Sequence, residues 1–130
     1  RPPNQLDVDM AHIIELELKA YLADLNGKTE QANQYFEEGM AIEEGLSYSF
    51  GPPDVFKPVH EAYGEYLLAQ KDYEKALNVF EKALEVNPRR LRSLRGKRIA
   101  AEQLGNQTSL EEAEKELALS LVERERGEIL

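Results

Sequence analysis

Cysteine is absent from this 130-residue chain, which excludes disulfides, iron-sulfur clusters and thiolate zinc sites and leaves the compartment open. Histidine is nearly absent, with only His12 and His60. His60-Glu61 begins like H-E-x-x-H, but Gly64 stands where the second ligand must fall one helical turn later, so zinc-protease chemistry is excluded. No apolar run approaches the roughly 20 residues that a membrane span needs, and no basic start followed by an apolar core suggests a signal peptide. There is no glycine-rich phosphate loop, Walker pattern or nucleophile elbow, and Ser and Asp sit at caps and turns, where local propensity alone puts them. The expectation is a protein that is not an enzyme and takes no cofactor or metal. Positive charge is also scarce: the net charge of −9 argues against nucleic acid as a partner. The one dense basic run, Arg89 to Arg98, holds no aromatic side chain on which a base could stack.

What is present is helical periodicity. By length the chain reads as a single domain over residues 1–130. Its organising stretch runs from Lys57 to Arg90. Val59, Ala62, Tyr63, Tyr66 and Leu67 form one apolar stripe at helical spacing, and Tyr73, Ala76, Leu77, Phe80, Ala83 and Leu84 form a second. Only Gln70-Lys71-Asp72 separates them, so the two helices must fold back on one another, with Asp72 placed to accept from the free amides of the second. Pro88 closes the pair, because it cannot donate to a continuing helix.

Gly64, Ala76, Phe80, Ala83 and Pro88 fall at the small, aromatic and closing positions of a unit of about 34 residues, and in this the stretch resembles the tetratricopeptide repeat. His60 occupies the usual Trp position and Leu67 the usual Tyr position. The resemblance implies an all-α fold, an α-α superhelix of about three helix pairs in a right-handed solenoid, serving as a protein-interaction scaffold. Units are expected at about 9–46, 57–90 and 91–127. The segment LSYSFGPPDVFKPVHEAYGEYLL also resembles the C-terminal part of bacterial tetratricopeptide proteins of unassigned function. With the opening Arg1-Pro2-Pro3-Asn4, this suggests a processed product or the end part of a longer chain. The expected protein is soluble and its compartment stays open, the cytoplasm being slightly favoured, with export if the chain is a processed fragment.

The remaining chain follows the same grammar. Residues 1–6 read as an extended lead-in, with Asp7 or Asp9 capping a helix from Met10 to Leu25. That helix carries two stripes, Ile13, Leu16, Ala20 and Ala23 on one side and Ile14, Leu18, Tyr21 and Leu25 on another, so it is expected to be covered on both. Asn26-Gly27 ends it, and Thr29 is the expected cap of a return helix holding Ala32, Tyr35, Phe36 and Met40. An irregular insert at 45–57 follows, stiffened by prolines. Its Tyr48 and Phe50 either cover apolar surface or meet a partner. A third pair begins at Leu91 and runs to Leu104, then turns through Gly105 to Thr108. Ser109 and Glu112 are the expected capping box of the last helix.

In the resembled family the first helix of each unit lines a concave groove. Carried onto this chain, the wall positions include Glu17, Tyr21 and Asp24, then Glu61 and Glu65, then Arg92 and Arg95. The groove is thus expected to be acidic on two walls and basic on the third. Two readings stand side by side. In one, Glu61 and Glu65 pair with Arg95 and Arg92 as an internal bridge. In the other, the acidic wall meets a basic peptide while the arginines take an acidic group such as a C-terminal carboxylate. The implied function is a non-enzymatic scaffold binding a protein or peptide in its groove. The alternative is a structural C-terminal cap of a longer repeat protein, whose first helix packs on an upstream repeat or on a second copy.

Overall fold

A computed structural model describes residues 4–46 and 57–127, which include six helices and no strand. They are α1 (Gln5–Leu25), α2 (Thr29–Glu44), α3 (Val59–Ala69), α4 (Tyr73–Val86), α5 (Leu91–Leu104) and α6 (Gln107–Glu125). The fold is therefore all-α, three helix pairs in chain order. The chain divides into two compact units, Arg1–Val59 and His60–Leu130. The first pair lies in the former, and the second and third pairs lie almost wholly in the latter.

In the first unit α1 packs on α2. Ile13, Leu16, Ala20 and Ala23 of α1 are buried together with Ala32, Phe36 and Gly39 of α2, and Tyr21 meets Phe36 edge to face at 5.5 Å between ring centroids. The helix begins five residues earlier than its apolar pattern indicates. Asn4, rather than Asp7 or Asp9, is its cap, accepting from the Asp7 backbone N–H at 2.8 Å. Between α1 and α2 the chain turns through Gly27 at φ +71°, a left-handed conformation open to glycine at no steric cost. Thr29 is the first residue of α2, not its cap, and Lys28 holds the cap position without a side-chain hydrogen bond. The second apolar stripe of α1 is not covered as expected: Ile14, Leu18, Tyr21 and Leu25 are all exposed.

The second unit is built around one ring. Phe80 of α4 is fully buried, and a Cβ placed on Gly64 of α3 would lie 2.7–2.9 Å from its ring atoms. A Cβ on Gly96 of α5 would lie 2.2–2.5 Å from the same ring. Both neighbouring helices thus give up a side chain to let the ring lie against their backbones, which brings three helices together at one point. Ala62, Tyr63, Leu67, Ala76, Leu94, Ala100, Ala101 and Ala113 complete this core. The turn between α3 and α4 is tight. Asp72 N–H returns to the Leu67 carbonyl at 2.9 Å, Lys71 takes φ +62°, and the Asp72 carboxylate accepts from Lys75 N–H at 3.4 Å, as its position implies. The chain leaves α4 at Asn87, directly before Pro88.

The last helix begins two residues before the expected capping box. Asn106 accepts from Ser109 N–H at 3.1 Å and is the cap, while Ser109 is a buried residue of the first turn and Glu112 pairs with Lys97 at 2.9 Å. Gly105, at φ +69°, ends α5.

Candidate protein-interaction surface

The expected wall residues of the second unit divide into a buried set and an exposed one. Glu61, on the first turn of α3, has a fully buried side chain. A carboxylate so placed needs compensation on both oxygens, and it has it. Arg90, immediately ahead of α5, donates from Nε to Oε2 at 2.7 Å and from Nη2 to Oε1 at 3.0 Å, the two-pronged arrangement that matches a guanidinium to a carboxylate. Ser93 Oγ, itself buried, donates to the same Oε2 at 2.8 Å. The hydrogen bond to Glu61 holds the Arg90 guanidinium above its ordinary pKa, so it stays charged. This cluster fastens α3 to the start of α5. Of the internal bridge foreseen for Glu61, the carboxylate side is in place and its cation is Arg90 rather than Arg95.

Of the remaining cations of the basic run, Lys97 is largely buried and the others reach solvent, and most of them have partners. Arg92 meets Glu65 at 3.3 Å, with the arginine more exposed than the carboxylate. Arg89 pairs with Glu123, Lys97 with Glu112, and Arg98 with Glu102 one turn on along α5. Arg95 differs from all of these, being exposed and without an ion pair among the described residues. It lies one helical turn from Arg92 and from Ile99, whose apolar side chain is also exposed. Glu102 continues the same face. The outer face of α5 therefore offers a guanidinium without a carboxylate, a second guanidinium in a solvent-exposed pair, and an apolar patch beside them.

In the first unit Glu17 is half-buried on α1, and burial, with repulsion from Glu43 and against the attraction of Lys57, pushes its carboxyl up to about 7. Glu43 accepts from the Val59 backbone N–H at 2.7 Å, so it fixes the end of the segment that leads into α3. Tyr21 is half-exposed, and Asp24 lies open to solvent near the end of the helix. Tyr48 and Phe50 lie outside the described residues. Among the described residues no group of three or more His, Asp or Glu side chains is placed to hold a metal ion, and no helix is long and apolar enough to cross a membrane. Reading the sequence missed three contributors: Arg90 and Ser93 as partners of Glu61, and Gly96 as the second seat for Phe80. The glycines left a trace, because Gly64 and Gly96 are separated by nearly one repeat length.

A sequence model of the family described as Tetratricopeptide repeat matches residues 58–90, which are α3, α4 and the turn between them with their flanks. Residues 58–90 are a tetratricopeptide repeat. Comparison with curated proteins and with solved structures gave no match. Tetratricopeptide repeats serve in general as non-enzymatic scaffolds for protein–protein interaction. In this repeat the close approach at Gly64 and Phe80 and the buried Glu61 are structural. Glu65 at its edge and the outer face of α5 remain in contact with solvent.

Proposed function

We propose that the second unit captures an acidic peptide segment of another protein on the outward face of α5 and the adjoining edge of α3. The residues assigned to contact are Arg92, Arg95 and Ile99, with Glu65 at the rim. The observation that carries the reading is Arg95, a guanidinium held on a rigid helix with no ion pair among the described residues, in a chain whose net charge is −9. A partner carboxylate, on a side chain or at a chain terminus, can take two hydrogen bonds from such a group. It can also displace Glu65 from Arg92 at little cost, since an exposed pair of that kind contributes only about 0–1 kcal/mol. Ile99 supplies apolar contact beside the charges, the combination from which interfaces gain both orientation and affinity. Glu61 is assigned to the scaffold and not to the contact surface.

The test is a selection from a random peptide library on the intact protein and on the Arg92→Glu/Arg95→Glu variant. The expected result is enrichment of peptides carrying Asp, Glu or a free terminal carboxylate by the parent, and loss of that enrichment by the variant with its helicity unchanged. The same peptides recovered from both would remove α5 from consideration. Double replacement of Glu61 and Glu65 by Lys is unsuitable for this purpose. It would bury an ammonium opposite Arg90 and unfold the scaffold before it tested the surface.

A further inference from the structure

The exposed stripe of α1 lies in the first unit and goes beyond the peptide reading above. Ile14, Leu18, Leu22 and Leu25 recur at the spacing that keeps side chains on one side of a helix, opposite the side that Ile13, Leu16, Ala20 and Ala23 bury against α2. Each is half-exposed or more, and Leu25 reaches 81%. Single exposed leucines are ordinary on a protein surface, whereas a continuous line of them over three turns marks a site of association. α2 cannot cover this line, since it already occupies the opposite side of the helix.

Charge selects the occupant. Lys19 is the sole Lys or Arg within α1 and α2, and it is already held by Glu15 at 3.1 Å. Asp7 lies in line with the stripe near its start, and Glu15 borders it on one side, one turn before Leu18, both exposed. A second copy of α1 would bring the same acidic margins against each other, which disfavours self-association. We infer that α1 is a docking face for an amphipathic helix of a partner protein, whose apolar stripe lies on Ile14, Leu18, Leu22 and Leu25 and whose flanks carry Lys or Arg. Helix-on-helix packing of this kind buries the leucines, and the basic flanks meet Asp7 at one end and Glu15 along the side.

The experiment uses the intact chain and two fluorescein-labelled synthetic helices of identical Leu pattern, one flanked by Lys and the other by Glu, read by anisotropy at low and high salt. The lysine helix is expected to bind and the glutamate helix to bind at least ~10-fold more weakly, with the difference narrowing as salt rises. The Leu18→Glu/Leu22→Glu variant separates docking from nonspecific charge attraction. It makes α1 more acidic, so mere attraction would strengthen, whereas seating on the leucines predicts a loss of ~10-fold or more. Leu18→Ala, which changes no charge, should weaken binding in the same direction and serves if the double variant loses helicity. Equal binding of both helices, undiminished binding by the leucine variants, or sedimentation of the parent as a dimer that the leucine variants dissolve would each overturn the inference.

Discussion

Phe80 carries the sharpest consequence at the scale of single residues. Its ring lies between the bare backbones of Gly64 and Gly96, so it cannot yield to a new methyl group on one side without striking the other. Gly96→Ala is accordingly expected to destabilise by about 1–3 kcal/mol despite the better helix propensity of alanine, and Phe80→Ala by about 3–5 kcal/mol, both measurable by urea unfolding. A neutral Gly96→Ala would show that the ring is not held as described. Glu61→Gln keeps the volume of the side chain and leaves the Arg90 guanidinium without its counter-charge. A loss of about 3 kcal/mol is expected, and a variant of parental stability would contradict the role given to the pair. Glu17 makes a pH-dependent prediction. Its proton leaves near 4.5 in the unfolded chain and near 7 in the folded one, so between those values the folded state holds the extra proton. Stability from this group is complete below about pH 4.5 and lost as pH rises through 7. The melting temperature of Glu17→Gln relative to the parent should therefore rise from pH 4 to pH 8, and a constant difference would exclude the raised value.

Helices were legible where apolar periodicity was strong and less so at their ends. The stripes of α3 and α4, the turn at Asp72 and the stop at Pro88 follow directly from residue type and spacing, and the structure places them there. The starts of α1 and α6 did not follow, for the same reason in both. An Asn cap competed with a more conspicuous acidic or hydroxyl residue a few positions later, and the earlier cap won by satisfying the first free amides. Asn106→Ala should therefore cost about 1 kcal/mol, while Ser109→Ala should cost much less, the reverse of what a Ser109 capping box implies. Chemical denaturation of the two variants distinguishes these cases. The partner of Glu61 was hidden for a different reason. Periodicity ranks positions along one helix, whereas the contact that Arg90 makes depends on where the chain emerges after Asn87-Pro88, a matter of turn geometry.

For the chain as a whole, the contrast between acidic and basic regions was visible in the sequence and survives in the structure, but its use has changed. α1 and α2 hold many carboxylates and a single cation, Lys19, whereas the cations around α5 are mostly consumed in holding the second unit together. Arg95 is left over from that consumption, and it cannot be identified from sequence because its distinction lies in the pairings of its neighbours. The second stripe of α1 was read correctly as apolar and incorrectly as covered, since a pattern shows which side chains favour burial and not whether anything lies over them. Capture of an acidic peptide by α5 can be read residue by residue from backbone amide shifts. The intact, isotopically labelled protein would be titrated with a library-selected peptide. Shifts concentrated at Glu65, Arg92, Arg95 and Ile99, and abolished by Arg95→Glu, are the predicted result. Shifts confined to α4 and α6, or unaltered by that substitution, would contradict it.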